Sequence, residues 1–116
     1  MIIEAVILDH LRTVLGVPAY AEQPTAGSGE YLVLQRLGGA QRNRIPWISA
    51  AIQSCAPSLY EAAALSDRVR AAMERLADKD GICESRLVSE SEFSDPEAKI
   101  RRYQAIFEIT YYREES

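Results

Sequence analysis

The sequence has 116 residues, of which 47% are hydrophobic, and its 13 basic and 17 acidic residues give a net charge of −4. This length and apolar content fit one globular domain over residues 1–116 and exclude a chain that is disordered throughout. The weak negative charge argues against a general nucleic-acid binder, which needs a basic surface, and no apolar run approaches the ~20 residues needed to span a bilayer.

Residues 2–15 are predicted to form an amphipathic helix, because their apolar residues recur at helical spacing. Gly16 is expected to end this helix, with Pro18 just beyond it. Residues 17–24 are predicted as a short extended segment at a sheet edge, since proline cannot donate to a strand ladder. The small residues 25–29 are predicted to form a flexible loop.

Two strands are predicted next, at residues 30–39 and 47–56, because both segments are rich in strand-forming side chains. Gly38 and Gly39 are expected to end the first strand. The polar residues 40–46 are predicted to be a loop, so the two strands would form a hairpin with a long tip. We expect this tip to be mobile until a partner orders it.

The second helix is the clearest element. Ser58 followed by Glu61 predicts a capping box after Pro57, and Gly81 is expected to end the segment. A helix with one apolar stripe must pack on something, and the strands are the available partner. The stripe consists of Leu59, Ala62, Leu65, Val69, Ala72 or Met73, and Leu76.

The last two strands are predicted at residues 82–93 and 101–112, joined by a turn that begins at Asp95-Pro96. Strict alternation in the final strand is expected to place one set of residues beneath the helices: Tyr103, Ala105, Phe107, Ile109 and Tyr111. The predicted fold class is therefore α+β: a mostly antiparallel sheet of about four to five strands with two helices on one face, in the order α-β-β-β-α-β-β.

No constellation of residues predicts catalysis, so we expect a protein that is not an enzyme and that uses no cofactor and no metal. His10 is the single histidine, and we expect an exposed or half-buried bystander on the first helix. Cys55 and Cys83 are expected to be isolated buried thiols, with a disulfide between them as the alternative, and they are too few for a zinc site. The glycine pairs lack the residues of a phosphate-binding loop.

Seven residues are candidates for contacts with other subunits or partners: Gln41, Arg42, Asn43, Arg44, Trp47, Ile106 and Tyr112. The first four form the one locally basic segment, and Trp47 follows closely. Arginine and tryptophan are favoured anchors in protein interfaces, whereas RNA contact is a weaker interpretation in an acidic chain. Ile106 and Tyr112 lie among polar residues on the other face of the final strand, which we expect to contact neighbouring subunits.

The whole pattern resembles the small tail terminator (tail completion) proteins of long-tailed bacteriophages and prophages. The resemblance covers nearly the whole chain. Its most specific parts are the passage 52–56 with Glu61-Ala62 after it, and Asp95-Pro96 leading to Arg102-Tyr103 and the alternating strand. The short N-terminal half departs from the family pattern and leaves open which loops face the tail tube.

This resemblance implies an α+β domain that forms a ring, usually a hexamer, on the end of the tail tube. Such a ring stops tube polymerisation and offers the surface for head joining. The implied partners are other copies of the chain, the tail tube protein and a head-completion or connector protein. The implied locations are the virion tail and, during assembly, the cytoplasm of the host bacterium. Two alternatives remain at this point: a small-ligand binder or enzyme subunit that uses the open sheet face, or an RNA-binding module that uses residues 41–44.

Overall fold

The computed structural model describes residues 2–25, 29–97 and 100–112. The elements are α1 (Ile3–Leu15), β1 (Ala19–Tyr20), β2 (Tyr31–Arg42), β3 (Ile45–Ala56), α2 (Leu59–Glu74), a 3₁₀ turn (Arg75–Asp78), β4 (Ile82–Glu92) and β5 (Arg101–Tyr111). This order and the α+β class confirm the prediction.

The five strands form one sheet in the order β1-β2-β3-β5-β4. Only the short β1 runs parallel to its neighbour, whereas the other pairs are antiparallel. The chain leaves β3, passes through α2 and enters β4 at the far edge, and β5 then fills the gap between them. β3 and β5 are therefore the two strands on which the helices must pack.

Both helices pack on one face of this sheet and enclose a single main core. From α2 the core takes Leu65, Val69 and Met73, which are fully buried. From β5 it takes Ala105, Phe107, Ile109 and Tyr111, as the alternation predicted, whereas Tyr103 is only half-buried. Burying one large aliphatic or aromatic side chain is worth roughly 1.5–3 kcal/mol, so this layer dominates the stability.

His10 lies buried between the two helices, so the prediction of an exposed or half-buried bystander was wrong. Its Nε2 lies 2.7 Å from the carbonyl oxygen of Ala72. A carbonyl oxygen only accepts hydrogen bonds, so the Nε2–H must be the donor. The residue is buried because α1 packs on α2 as well as on the sheet, and His10 lies on the side of α1 that carries Ile7 and Leu11.

The end of α1 is fixed by both its backbone and a side chain. Gly16 adopts a left-handed conformation, with φ of 68°, and its N–H donates to the carbonyl of Arg12 over 2.9 Å. The Arg12 guanidinium also donates to the carbonyl of Ala19, with Nη2 at 2.6 Å. The helix end is thereby joined to β1.

The predicted loop between the first two long strands does not exist. β2 and β3 have 12 residues each, and Asn43 and Arg44, with φ of 52° and 66°, close the hairpin in a two-residue turn. Gly39 lies within β2 rather than at its end: a Cβ there would approach the carbonyl oxygen of Trp47 to 2.6 Å. Glycine is therefore needed here because two backbone segments approach each other closely. From sequence alone, such a glycine cannot be distinguished from one that ends a strand.

The turn predicted at Asp95-Pro96 is confirmed. An Asp95 carboxylate oxygen accepts the backbone N–H of Glu97 at 3.0 Å, and Asp95 forms a backbone bridge with Ile100. Residues 98–99 of this turn lie outside the described residues, as do residues 26–28 of the predicted flexible loop. In the described part of the chain, none of the helices has the length and apolar character needed to cross a membrane.

Replacing Leu65 with alanine should lower the free energy of unfolding by about 2–5 kcal/mol, because the side chain is completely buried under the sheet. Urea denaturation of the purified protein measures this loss. Leu59→Ala on the same helix is the matched control, since Leu59 is 40% exposed and should lose far less. Equal losses at both positions would contradict the packing described here.

Removing the cap of α2 by Ser58→Ala should cost about 1 kcal/mol of stability. The Ser58 hydroxyl oxygen accepts the backbone N–H of Glu61 at 3.2 Å and lies 3.1 Å from a carboxylate oxygen of that residue. The same denaturation experiment tests it, with Ser89→Ala at an exposed strand position as the control. If the two serine variants unfold at the same urea concentration, the cap does not stabilise the helix.

Candidate functional site

The candidate site is the face of the sheet opposite the helices, called the open face below. Pairing in register places alternate residues of four strands on it. The buried residues of both helices cluster with the other set of alternate residues. The open face includes Val33 and Gln35 from β2, Trp47, Ser49, Ala51 and Gln53 from β3, Gln104, Ile106, Glu108 and Thr110 from β5, and Glu84 and Arg86 from β4.

One end of the open face carries a small apolar cluster of its own. Tyr31, Val33 and Cys55 are buried there and Ile100 packs against them. The Tyr31 hydroxyl oxygen accepts a hydrogen bond from the side-chain amide of Gln23 at 2.8 Å. Burial raises the pKa of the Cys55 thiol and that of the Tyr31 phenol above their ordinary values. At this end of the open face, these side chains therefore cover the sheet themselves.

The other end carries a charge network that crosses three strands. Glu108 on β5 lies 3.1 Å from the Arg86 guanidinium on β4 and 3.8 Å from that of Arg42 on β2. Arg86 also lies 3.6 Å from Glu84. Exposed ion pairs contribute about 0–1 kcal/mol each, so this network sets the polarity of the surface more than its stability.

Trp47 lies beneath this network. The Arg42 guanidinium carbon is 4.7 Å from the centre of the indole ring, which fits a cation–π contact. The indole N–H is buried and meets no hydrogen-bond acceptor among the described residues. Arg42 covers one face of the ring in this arrangement, which leaves less of Trp47 available to stack on a nucleic-acid base.

The structure brings some of the seven predicted contact residues together and separates others. Arg42 and Trp47 touch on the open face. Ile106 is half-buried further along it, and Tyr112 is exposed just beyond β5, beside Cys83, whose hydrogen bond raises the Tyr112 pKa. The remaining three, Gln41, Asn43 and Arg44, lie exposed at the end of the hairpin.

Sequence reasoning missed Arg86 and the ion pairs of Glu108, which connect Arg42 to the rest of the open face. Both charges sit in strands that were correctly predicted, but their contact depends on the pairing register of β4 with β5. The alternation of charge within each strand was the available signal. Register across strands that are distant in sequence was the missing information.

The tip of the hairpin contains an unfavourable backbone conformation. A two-residue turn in which both residues have positive φ, the type I′ turn, favours Asn-Gly. Here the second position is Arg44, with φ of 66°. A side chain in the left-handed region costs roughly 1–2 kcal/mol, so the chain holds a cation at its tip at the expense of stability.

The two cysteines differ in exposure. Both are free, Cys55 being buried and Cys83 exposed, so the prediction that both are buried was wrong for Cys83. Cys83 is exposed because β4 is an edge strand. Among the described residues, no group of three or more histidine, cysteine, aspartate or glutamate side chains is arranged to hold a metal ion.

Comparison with known proteins finds similarity in fold but not in family. No protein-family model matches the sequence, and no curated protein matches it. The fold is similar to a chain in a solved structure described as the virion of a native gene transfer agent particle, with a TM-score of 0.69 and 17% sequence identity. The superposition covers 93% of this chain and 92% of that chain, so the two share one architecture from end to end.

A thiol reagent should modify Cys83 quickly and Cys55 only slowly in the native protein. Cys83 is exposed, whereas Cys55 is buried with a raised pKa, which reduces the reactive thiolate. The measurement is the time course of thiol modification at neutral pH, with and without denaturant. The Cys83→Ser variant should lose the fast phase; a fast phase that persists in it would show that the apolar end of the open face is accessible.

Replacing Arg44 with glycine should stabilise the protein by about 1 kcal/mol or somewhat less. Glycine relieves the positive φ, and its greater freedom in the unfolded chain offsets part of the gain. The denaturation midpoint measures the change. Arg42→Gly, two positions earlier in β2, should instead destabilise by roughly 0.5–1 kcal/mol or more; a loss of stability in Arg44→Gly would contradict the strained turn.

Proposed function

We propose that this protein is a non-enzymatic structural protein of a phage or prophage tail. It forms a ring on the end of the tail tube, stops tube polymerisation and provides the surface for head joining. The observation that carries the proposal is the end-to-end similarity in fold to a chain of a gene transfer agent virion, with a TM-score of 0.69. The sequence resemblance to tail terminators points to the same class of particle.

The open face supports this proposal through its chemistry. It combines a balanced charge network around Glu108 with two partly buried apolar side chains, Trp47 and Ile106. Interfaces between proteins that fold before they assemble have this character: a polar surface with a few apolar and aromatic anchors. The open face and the hairpin tip, with Gln41, Asn43, Arg44 and Tyr112, are the contact surfaces we propose.

The proposed partners are other copies of the chain, the tail tube protein and a head-completion or connector protein. A ring requires a heterologous contact, in which two different surfaces of each copy meet, and closure fixes the number of subunits. Six is the number that the tail-terminator resemblance implies. The proposed locations are the virion tail and, before assembly, the bacterial cytoplasm.

Mass photometry of the purified protein, alone and with tail tube protein, tests the ring. We expect a closed oligomer with the mass of a hexamer in at least the second condition. The double variant Ile106→Asp with Tyr112→Asp should shift it toward monomer, because two charges would be placed on the proposed contact surface.

Ile2→Asp is the control for that variant, since Ile2 is an exposed apolar residue at the start of α1. It should assemble as the wild type does. Circular dichroism confirms that each variant is folded. A protein that is monomeric in both conditions contradicts the ring, and an oligomer unaffected by the double variant contradicts the assignment of the open face.

A further inference from the structure

A cavity of about 250 Å³ lies on the helix side of the sheet, between α2 and the strands β4 and β5. Its lining includes Tyr60, Ala63 and Ala64 from α2, and Tyr103 from β5. The cavity exists because the two alanine side chains are small, and the two tyrosine rings form aromatic parts of its wall. Since one water occupies roughly 30 Å³ in the liquid, the cavity has room for one long side chain.

The charge of this cavity favours a cation. Asp67 and Glu90 complete its lining, and both carboxylates lie near the single guanidinium of Arg70, at 2.8 and 3.7 Å. Glu90 also accepts a hydrogen bond from the Ser66 hydroxyl at 2.7 Å. Two carboxylates against one guanidinium leave an excess of one negative charge beside aromatic rings. Carboxylates and tyrosine faces together recognise a lysine or arginine side chain.

Tyr60 marks the rim of the cavity. It is 84% exposed on the first turn of α2, so its ring is open to contact by a partner side chain. Within the described residues its ring has no aromatic or cationic partner. Beside the carboxylates of Asp67 and Glu90, this exposed ring offers a cation–π face to a guanidinium from a partner.

The chain itself presents a matching cation. Arg44 is exposed at the hairpin tip and, among the described residues, forms neither a hydrogen bond nor an ion pair. Its neighbour Arg42 is already engaged by Trp47 and Glu108. The positive φ of Arg44 is an unfavourable conformation for a non-glycine residue, and such outliers often mark functional positions.

The tip and the cavity lie toward opposite ends of the molecule. Trp47, near the tip, pairs with Thr110, whereas Tyr103 lies seven residues earlier on the same strand, roughly 23 Å away at about 3.3 Å per residue. The tip also extends from the β2–β3 side of the sheet, and the cavity faces β4 at the other side. The tip of one copy cannot enter its own cavity, so a contact between them joins two copies head to tail.

We propose that Arg44 of one copy inserts into the cavity of the next copy, where Tyr60, Tyr103, Asp67 and Glu90 hold its guanidinium. This inference rests on the proposed ring and names the contact that would propagate it. A contact between two different surfaces repeats from copy to copy, and it closes into a ring when the rotation allows. The occupant is therefore a second copy of this chain.

The test is a charge exchange across the contact. Arg44→Glu and Asp67→Arg each place like charges against each other, which should weaken assembly by about tenfold or more. An equimolar mixture of the two variants should restore it, because each contact in an alternating oligomer then joins opposite charges. The double variant, Arg44→Glu with Asp67→Arg in one chain, should assemble by itself. Sedimentation velocity in low salt measures all four samples, with tube protein added where the wild type requires it.

Lys79→Glu is the matched control, since it makes the same change of charge at an exposed position that belongs neither to the cavity lining nor to the hairpin tip. It should sediment as the wild type does. Assembly lost in each single variant and regained in both the mixture and the double variant supports the contact. Single variants that assemble normally, or a mixture and double variant that stay monomeric, overturn it while leaving the ring intact. A wild-type chain that is monomeric even with tube protein overturns the ring and this contact together.

Discussion

The fold depends on covering one face of the two central strands. β3 and β5 have neighbours on both sides, and their inner-face residues, such as Ile52 and Phe107, are almost completely buried beneath α2. Since both helices are used on that face, none is left for the opposite face. The open face must therefore protect itself with small side chains such as Ala51, with one apolar cluster, and with paired charges.

The elements that sequence predicted are those whose signals are local. The cap of α2 needs only Ser58 and Glu61, and the alternation of β5 records the burial of one face along a single segment. The last residues of β2, Ala40 to Arg42, were predicted as loop, and they give no such signal because every residue from Gln35 to Arg42 is exposed. Apolar and polar residues alternate along a strand only where one of its faces is buried. A strand end that is held mainly by its hydrogen bonds to β3 therefore has the composition of a loop.

The features that sequence reasoning missed, in the core and in the candidate site, depend on contacts between distant residues. His10 and Ala72 are 62 positions apart, and the partner of Arg42 at Glu108 lies on a strand formed much later in the chain. Each of these residues has an ordinary local context. What defines them is the strand register and the helix packing, which follow from the whole fold and not from any one segment.

The edges of the sheet bear on how such a chain can assemble. β4 forms one edge, and at the other edge the described pairing of β1 with β2 ends at Val33, so the outer half of β2 is also exposed. Both edges carry irregularities, between Arg36 and Gly38 and between Leu87 and Ser89, and both carry charged side chains. Bulges and charges are the usual means by which proteins prevent strand-to-strand association. Assembly through a β-sheet that continues from one copy to the next is therefore disfavoured. Copies of this chain must instead meet through side-chain contacts at the hairpin tip, the open face and the cavity.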